Sequence, residues 1–328
     1  MSTLTATRVE APAHPVSPAR GLIRAVFRLH QAALWFWALL VVLIAGALLW
    51  AAGPGLDAAW AEYLRSDCAR IDYCETGPAY NRYGTAVSLG TAVLIIAPLL
   101  VGAWAGGALI ARELELGTAR LAWTQSVTPT RWLAAKLAVP GAVIVSGTVL
   151  LTLLHRLVWA RETELRSALA TRDWFTATTF AANGTLATAY ALLGLAVGVL
   201  AGLLLRRSLP ALGLGALGTG VVMAALRLNR HRMWPVETST SKTPKDLSLT
   251  GDLVGNGLIT ASGERYGNLA CEEVDCGRKD VVGYYTEFHP SSHFWPMQLV
   301  ETGIVLALAA ALVLGSFWLL RRRTGGAG

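Results

Sequence analysis

The side chains that could do chemistry in this sequence are few and widely separated. His289 and His293 stand four residues apart and could ligate a metal ion, but no third ligand is evident near them. His155 stands beside Arg156 at the end of an apolar run, a position that favours an interfacial role over a catalytic one. We therefore predict no metal site and no catalytic residue.

The cysteines form two close pairs in polar stretches of the sequence. Their positions are Cys68, Cys74, Cys271 and Cys276. Local pairs in polar loops favour disulfides on an oxidising, extracytoplasmic face, and we predict Cys68–Cys74 and Cys271–Cys276. A zinc site is the alternative, but the CxxC spacing typical of such sites is absent.

The motifs of nucleotide-binding and hydrolytic enzymes are also missing. There is no GxxxxGK(S/T) phosphate-binding loop, no HExxH and no GxSxG, so we predict a chain that is not an enzyme and binds no cofactor itself. A net charge of +7 could indicate nucleic-acid binding. The arginines instead flank apolar runs and form no basic patch interleaved with aromatic residues, so no nucleic-acid partner is predicted.

Long apolar runs dominate the chain that must position these residues. Hydrophobic residues make up 54% of the sequence and charged residues 15%, against about 25% charged in a soluble domain. Six runs are long enough to cross a bilayer as helices: 32–52, 86–111, 137–155, 177–205, 209–226 and 302–320. None contains Asp, Glu, Lys or Arg. We predict an all-α integral membrane protein with six transmembrane helices and no buried ionisable group in its spans.

The N-terminal region divides into two parts before the first span. Residues 1–19 are rich in Pro, Ala and Thr, which predicts disorder. Over 20–31, Arg20, Arg24 and Arg28 form a basic stripe opposite apolar residues, which predicts an amphipathic elbow helix in the membrane surface. A simple basic tail beside the membrane is the alternative.

The charge distribution suggests how the chain is oriented in the plasma membrane. Counted over short loops, Lys and Arg favour a cytoplasmic N-terminus and a cytoplasmic tail at 321–328. This orientation places all four cysteines outside the cell. It also makes 228–296, between the fifth and sixth spans, an extracytoplasmic loop domain. Within that loop, Asn256-Gly257 predicts a turn and 281–285 predicts a strand.

The segment 112–131, here called the coupling segment, joins the second and third spans on the cytoplasmic side. Gly117 can end the preceding helix in a left-handed conformation. Thr118 can cap a short helix that runs through Trp123 and Gln125, and Thr128 with Pro129 can open the third span. The pattern predicts a rigid lever along the inner surface, with an ordinary interfacial loop as the alternative.

These residues resemble the membrane subunits of type-2 ABC exporters, especially an actinobacterial branch. The likeness is carried by Glu113-x-x-x-Gly117-Thr118, by 121–128 and by Arg131-Trp132-Leu133. Further matches are the elbow at 24–33 and the last-span entry Phe294-Trp295-Pro296-x-Gln298-x-x-Glu301. Pro129 stands where the resemblance would place a basic residue.

The resemblance implies that the short helix docks into a separate ABC ATPase subunit, which binds the ATP and Mg²⁺. The residues it assigns to this coupling are Glu113, Glu115, Gly117, Thr118, Arg120, Trp123, Gln125 and Arg131. The two glutamates would brace the helix or meet basic groups on the ATPase. The chain would act as half of a homodimer or heterodimer.

Small residues at a four-residue spacing predict close helix packing in the bilayer. They are Gly194, Gly198 and Gly202 in the fourth span and Gly102 and Gly106 in the second. Packing within the chain is favoured over a dimer seam.

Taken together, these features predict the permease subunit of an ATP-driven exporter. The uncharged spans suggest an apolar or amphipathic substrate. One alternative is a membrane sensor or assembly protein that displays its extracytoplasmic domain without transport. Another is an intramembrane enzyme that uses His155 or the pair His289 and His293.

Overall fold

A computed structural model of the protein describes residues 18–66, 76–124, 127–169, 172–243, 251–267 and 280–325. The helices are α1 Pro18–Leu29, α2 Gln31–Arg65, α3 Pro78–Glu115, α4 Thr118–Thr124, α5 Pro129–Arg161, α6 Thr163–Leu169, α7 Ala177–Ala182, α8 Leu186–Leu205, α9 Ser208–Leu228 and α10 Phe294–Arg323. The cysteine pairs, Gln125 and residues 1–17 lie outside the described residues, and the two disulfides stay predictions.

Six of these helices are long and apolar enough to cross a membrane, which confirms the predicted fold class. They are α2, α3, α5, α8, α9 and α10. Most extend beyond the apolar runs that predicted them. The extensions carry charged residues such as Glu113, Lys136 and Glu301, which pair inside the protein. The predicted runs contain none of these charges, but the helices are longer than the runs and do bury ionisable groups.

The first span is kinked where it leaves the apolar run. Its backbone is non-helical at Gly53, directly before Pro54, inside a short π-helical stretch at Ala51–Gly55. Proline lacks an N–H and clashes with the preceding turn, which accounts for the bend. The helix then continues to Arg65, so the kink redirects the end of this span.

The fourth predicted span, 177–205, is wrong in its first third. The helix breaks at 183–185 between α7 and α8. Arg156 Nη1 donates to the Asn183 carbonyl at 2.8 Å, and the Gln298 side-chain amide donates to the Phe180 carbonyl. These side chains satisfy backbone groups that the break frees, so the irregular backbone persists inside the bundle.

Helix α8 is the centre of the bundle and packs against α3, α5, α9 and α10. Two-thirds of the residues in its most apolar stretch are buried, whereas most residues in the corresponding stretches of α2 and α9 are not buried. A Cβ added at Gly194 would lie 2.2 Å from the Pro98 carbonyl oxygen, and one at Gly198 would lie 2.3 Å from that of Gly102. The small residues therefore let the backbones of α3 and α8 touch.

The same close packing extends along both glycine-bearing helices. A Cβ at Gly202 would lie 2.9 Å from the Gly106 carbonyl oxygen, and one at Gly106 would lie 2.3 Å from that of Ala211 in α9. On its other side, Gly102 approaches Gly215 of α9. The contacts of all five predicted packing glycines thus include neighbours within the chain.

The segment between α9 and α10 forms a four-stranded antiparallel sheet. Its strands are β1 Glu237–Ser241, β2 Asp252–Thr260, β3 Arg265–Gly267 and β4 Val281–His289, in the order β1-β4-β2-β3. The strand predicted at 281–285 is confirmed. The turn predicted at Asn256-Gly257 is wrong, because both residues lie inside β2. Gly257 instead allows a close approach, since a Cβ there would lie 1.8 Å from the Tyr266 carbonyl oxygen.

Helix α1 precedes the first span as an amphipathic element. Arg24 and Arg28 are exposed, whereas Val26 is buried against the bundle. This division of polar and apolar faces fits the predicted elbow helix. Its position in the membrane surface stays a prediction.

Candidate functional site

The coupling segment contains a sharp bend followed by a short helix. Helix α3 ends at Glu115, Gly117 has a φ of +74°, and α4 begins directly afterwards at Thr118. The left-handed glycine is therefore as predicted. Thr118 does not cap α4 as predicted, because it is already helical and its hydroxyl donates to the Glu113 carbonyl at 3.3 Å. Thr128 does cap α5, accepting from the Arg131 N–H at 3.4 Å.

Two tryptophans hold α4 against the start of α5. The rings of Trp123 and Trp132 meet edge to face, with centroids 5.7 Å apart. Trp132 is buried, and its Nε1 donates to Glu113 Oε2 at 3.1 Å. Ala119 of α4 is fully buried beneath them. The short helix is therefore packed onto the bundle, as a rigid lever requires.

A buried ion pair fixes the base of the lever. The Lys136 ammonium donates to Glu113 Oε1 and, at 2.8 Å, to His30 Nε2. Burial first, and then the neighbouring Lys136 charge, lower the pKa of His30 to about 4, so its imidazole is neutral and accepts this bond. The His30 ring also packs edge to face on Trp104 of α3. His30, Glu113 and Lys136 thus connect the end of α1 to α3 and α5.

The opposite face of the coupling segment is open. Leu116 and Leu121 have 66% and 60% of their surface exposed, and Arg120 and Arg131 are exposed beside them. Glu115 turns towards α9, where its Oε2 accepts from the Ser208 N–H at 2.9 Å and from the Ser208 hydroxyl at 2.5 Å. Both glutamates therefore have partners within the chain, while the apolar and basic side chains are exposed.

Comparison with known proteins identifies the family of this bundle. The model of the family described as ABC-2 membrane transporter related matches residues 38–230. That range is more than half of the chain and runs from α2 through α9, including the coupling segment. This chain belongs to the ABC-2 membrane transporter related family. No curated protein and no solved structure matches it.

The protein is therefore a type-2 ABC permease subunit, and the coupling segment is its candidate functional site. The sheet and α10 lie outside the matched range. Family membership supports the transport class over both alternatives raised from the sequence, the sensor and the intramembrane enzyme.

Two further ion clusters lie near the other end of this ABC-2 permease. Glu301, fully buried in α10, accepts from Arg230 Nε at 2.7 Å and from the Tyr190 hydroxyl at 2.5 Å. Glu162, which is 2% exposed after α5, binds the Arg172 guanidinium and the Tyr83 hydroxyl. Neither cluster was predicted from the sequence. Glu301 was already part of the motif at the entry to the last span, and that was the available signal.

The histidines of the permease do not assemble a metal centre in the described ranges. His289 Nδ1 lies 3.1 Å from His293 Nδ1, and His293 Nε2 lies 3.4 Å from Glu237 Oε1. Among the described residues, no group of three His, Cys, Asp or Glu side chains could hold a metal. His155 is buried between Thr91 Oγ1 and Asn183 Oδ1, each 2.8 Å from one of its ring nitrogens.

The two glutamates of the coupling segment should differ sharply when neutralised. Glu113→Gln leaves the Lys136 ammonium buried without its counter-charge, which should lower the free energy of unfolding by about 3 kcal/mol. Glu115→Gln removes an exposed charge and should leave the unfolding midpoint nearly unchanged. Thermal unfolding of both variants in detergent measures the difference. Equal midpoints would show that the Glu113–Lys136 pair does not anchor the lever.

Proposed function

We propose that this permease subunit exports its substrate from the cell and is driven by a separate ATPase that docks on the coupling segment. The observation that carries the proposal is the exposed face of α4, where Leu121 and Arg120 are open while Ala119 and Trp123 pack on the bundle. An exposed apolar residue beside a basic one suits a protein partner. ATP and Mg²⁺ would bind to that partner.

Movement of the docked helix would reach the spans through the contacts already described. A push on α4 acts on α5 through Trp123 and Trp132, and on both α3 and α5 through Glu113 and Lys136. Because packed side chains and a buried ion pair resist deformation, the lever would shift these helices together rather than bend alone. Such a shift is what alternating inward and outward access requires.

A large apolar cavity supports an apolar or amphipathic substrate. It has a volume of about 750 Å³ and is lined by α2, α3, α5 and α9, with Phe36, Trp37, Leu100, Ile144 and Leu212 among its walls. Every side chain that lines it is apolar. Such a cavity would solvate an acyl chain or a ring system, whereas a strongly charged solute would lose its hydration there without compensation.

The peripheral spans support association into a dimer. In each of α2 and α9, only 17% of the residues in the most apolar stretch are buried within the chain. Both helices border the cavity. A second permease chain, identical or related, packed against these helices would close the cavity into a path between protomers. Homodimer and heterodimer both fit this arrangement.

The proposed orientation places both termini in the cytoplasm and the sheet outside the cell. Arg321, Arg322 and Arg323 end the last span and, with α1, supply the positive charge expected on the inner side. A cysteine introduced at Ser2 or Gly326 should stay unlabelled by an impermeant thiol reagent on intact cells, whereas one introduced at Val282 in β4 should be labelled. The reverse pattern would invert the topology.

Site-directed cross-linking tests the docking itself. A photoreactive residue in place of Leu121 should capture a chain that mass spectrometry identifies as a P-loop ATPase. The matched control is the same residue at Val282, which is 55% exposed in the sheet and should capture none. Capture of no ATPase from Leu121, with the protein folded and inserted, would contradict docking at α4 and favour the sensor alternative.

A further inference from the structure

A second cavity, of about 350 Å³, lies where the bundle meets the segment that follows the sheet. It is enclosed by the end of α5, by α6, by the residues around α7 and by the start of α10. Two arginines, Arg156 and Arg166, line it together with the rings of Trp159 and Trp295. The cavity is thus both cationic and aromatic, unlike the apolar cavity among α2, α3, α5 and α9.

Arg156 is the first of the two cationic groups in this cavity. Its side chain is partly buried, and its Nη1 donates to the Asn183 carbonyl at 2.8 Å. The guanidinium carbon lies 4.7 Å from the centroid of the Trp295 ring and 5.9 Å from that of Phe294. Within the described part of the chain, no carboxylate forms an ion pair with it. A partly buried guanidinium that no described carboxylate neutralises can bind an anion.

Arg166 adds to the positive field of the same cavity. Its guanidinium stacks on the Trp159 ring at 3.7 Å and lies 3.7 Å from Glu162 Oε1. Glu162 also binds Arg172, so a single carboxylate is shared between two arginines. Asp173 lines the cavity as well, but its side chain is exposed. The lining therefore keeps an excess of positive charge.

Asn183 also lines the cavity, and its backbone carbonyl accepts the bond from Arg156 Nη1 at 2.8 Å. This bond fixes the position of the guanidinium at the cavity wall.

We propose that this cavity binds the negatively charged headgroup of a membrane amphiphile, with Arg156 as its principal contact. The guanidinium can bind a phosphate or carboxylate through two parallel hydrogen bonds. Tryptophan rings such as Trp159 and Trp295 are typical of the membrane interface, where headgroups lie. The site is separate from the coupling segment and does not depend on transport, so its failure would leave the proposed function untouched.

Native mass spectrometry of the full-length protein tests the site. The purified chain is offered phosphatidylglycerol and phosphatidylcholine in equal amounts, and the bound lipids are counted. The wild type should prefer phosphatidylglycerol by about tenfold, since charge-assisted hydrogen bonds to an anion are worth more than about 1.4 kcal/mol. Arg156→Gln should abolish the preference and Arg156→Lys should keep part of it. Arg82→Gln, an exposed arginine away from the cavity, should leave it unchanged.

Three results would overturn the proposal. One is equal retention of both lipids by the wild type, a measurement that holds even if Arg156→Gln fails to fold. The other is protection against thermal unfolding by inorganic phosphate equal to that by phosphatidylglycerol, which would assign the site to a free anion. Preference in the wild type that persists in folded Arg156→Gln would likewise remove Arg156 from the site.

Discussion

Replacing Gly198 with valine should strongly destabilise the bundle. A Cβ at this position would lie 2.3 Å from the Gly102 carbonyl oxygen and 2.8 Å from the Cβ of Ala105. The nearest atom belongs to the main chain and cannot change rotamer as a flexible side chain would. The added methyl groups would therefore force α3 and α8 apart. We expect a loss of more than about 3 kcal/mol in the free energy of unfolding, since overpacking against a rigid neighbour exceeds the usual cost.

Gly303→Val is the matched control for this prediction. Gly303 lies in α10, and no atom lies within 4 Å of the Cβ that a substitution would add there. The two variants share the same change in helix propensity, so the difference between them measures the close approach alone. Yield in membranes and the unfolding midpoint in detergent should be near wild type for Gly303→Val and strongly reduced for Gly198→Val. Similar values for both would show that α3 and α8 do not touch as described.

Gly117→Val should disconnect the lever while the spans stay folded. Gly117 has a φ of +74°, a conformation that a β-branched residue adopts only with strain of about 1–3 kcal/mol. Apart from its chain neighbours, no atom of the described residues lies within 4 Å of the added Cβ, so the effect acts through the backbone. The strain is relieved if the bend between α3 and α4 opens, which would carry Leu121 away from its docked position. Co-purification of the ATPase should be lost.

The control for this bend is a glycine with the same conformation elsewhere. Gly263, in the sheet segment, has a φ of +82° and also has open space around its Cβ position. Gly263→Val should therefore suffer comparable backbone strain yet retain the ATPase. If both variants co-purify with the ATPase as the wild type does, the bend at Gly117 does not position the docking helix.

The sequence predicted the spans well because burial in a bilayer demands long uncharged runs. It did not predict where the helices end. Helix α3 continues through Glu113 because the Glu113 carboxylate pairs with Lys136 inside the fold. The two residues are 23 positions apart, so no local pattern in the sequence predicts this pair. The same limit applies to His30, which lies at the end of the predicted elbow helix and is buried against Lys136.

Glycine was informative where it governs a bend or helix packing and misleading in the sheet. Gly117 was predicted in a left-handed conformation because a helix pattern ends before it. Gly257 follows an asparagine, which favours a turn, yet tertiary contact with the Tyr266 backbone explains its presence inside a strand. The break after α7 escaped prediction because Asn183 and Gly184 are a short interruption in a long apolar run. The side chains that stabilise it include Arg156 and Gln298, which are distant in sequence.

The central claim, that the coupling segment transmits the work of an ATPase, is tested most directly by ATP turnover of the reconstituted complex. The wild-type chain should raise turnover of the purified ATPase, and Val282→Asp in the sheet should do the same. Leu121→Asp and Gly117→Val should leave turnover at the level of the ATPase alone, although both chains remain folded. Wild-type turnover with both Leu121→Asp and Gly117→Val would contradict coupling through this segment.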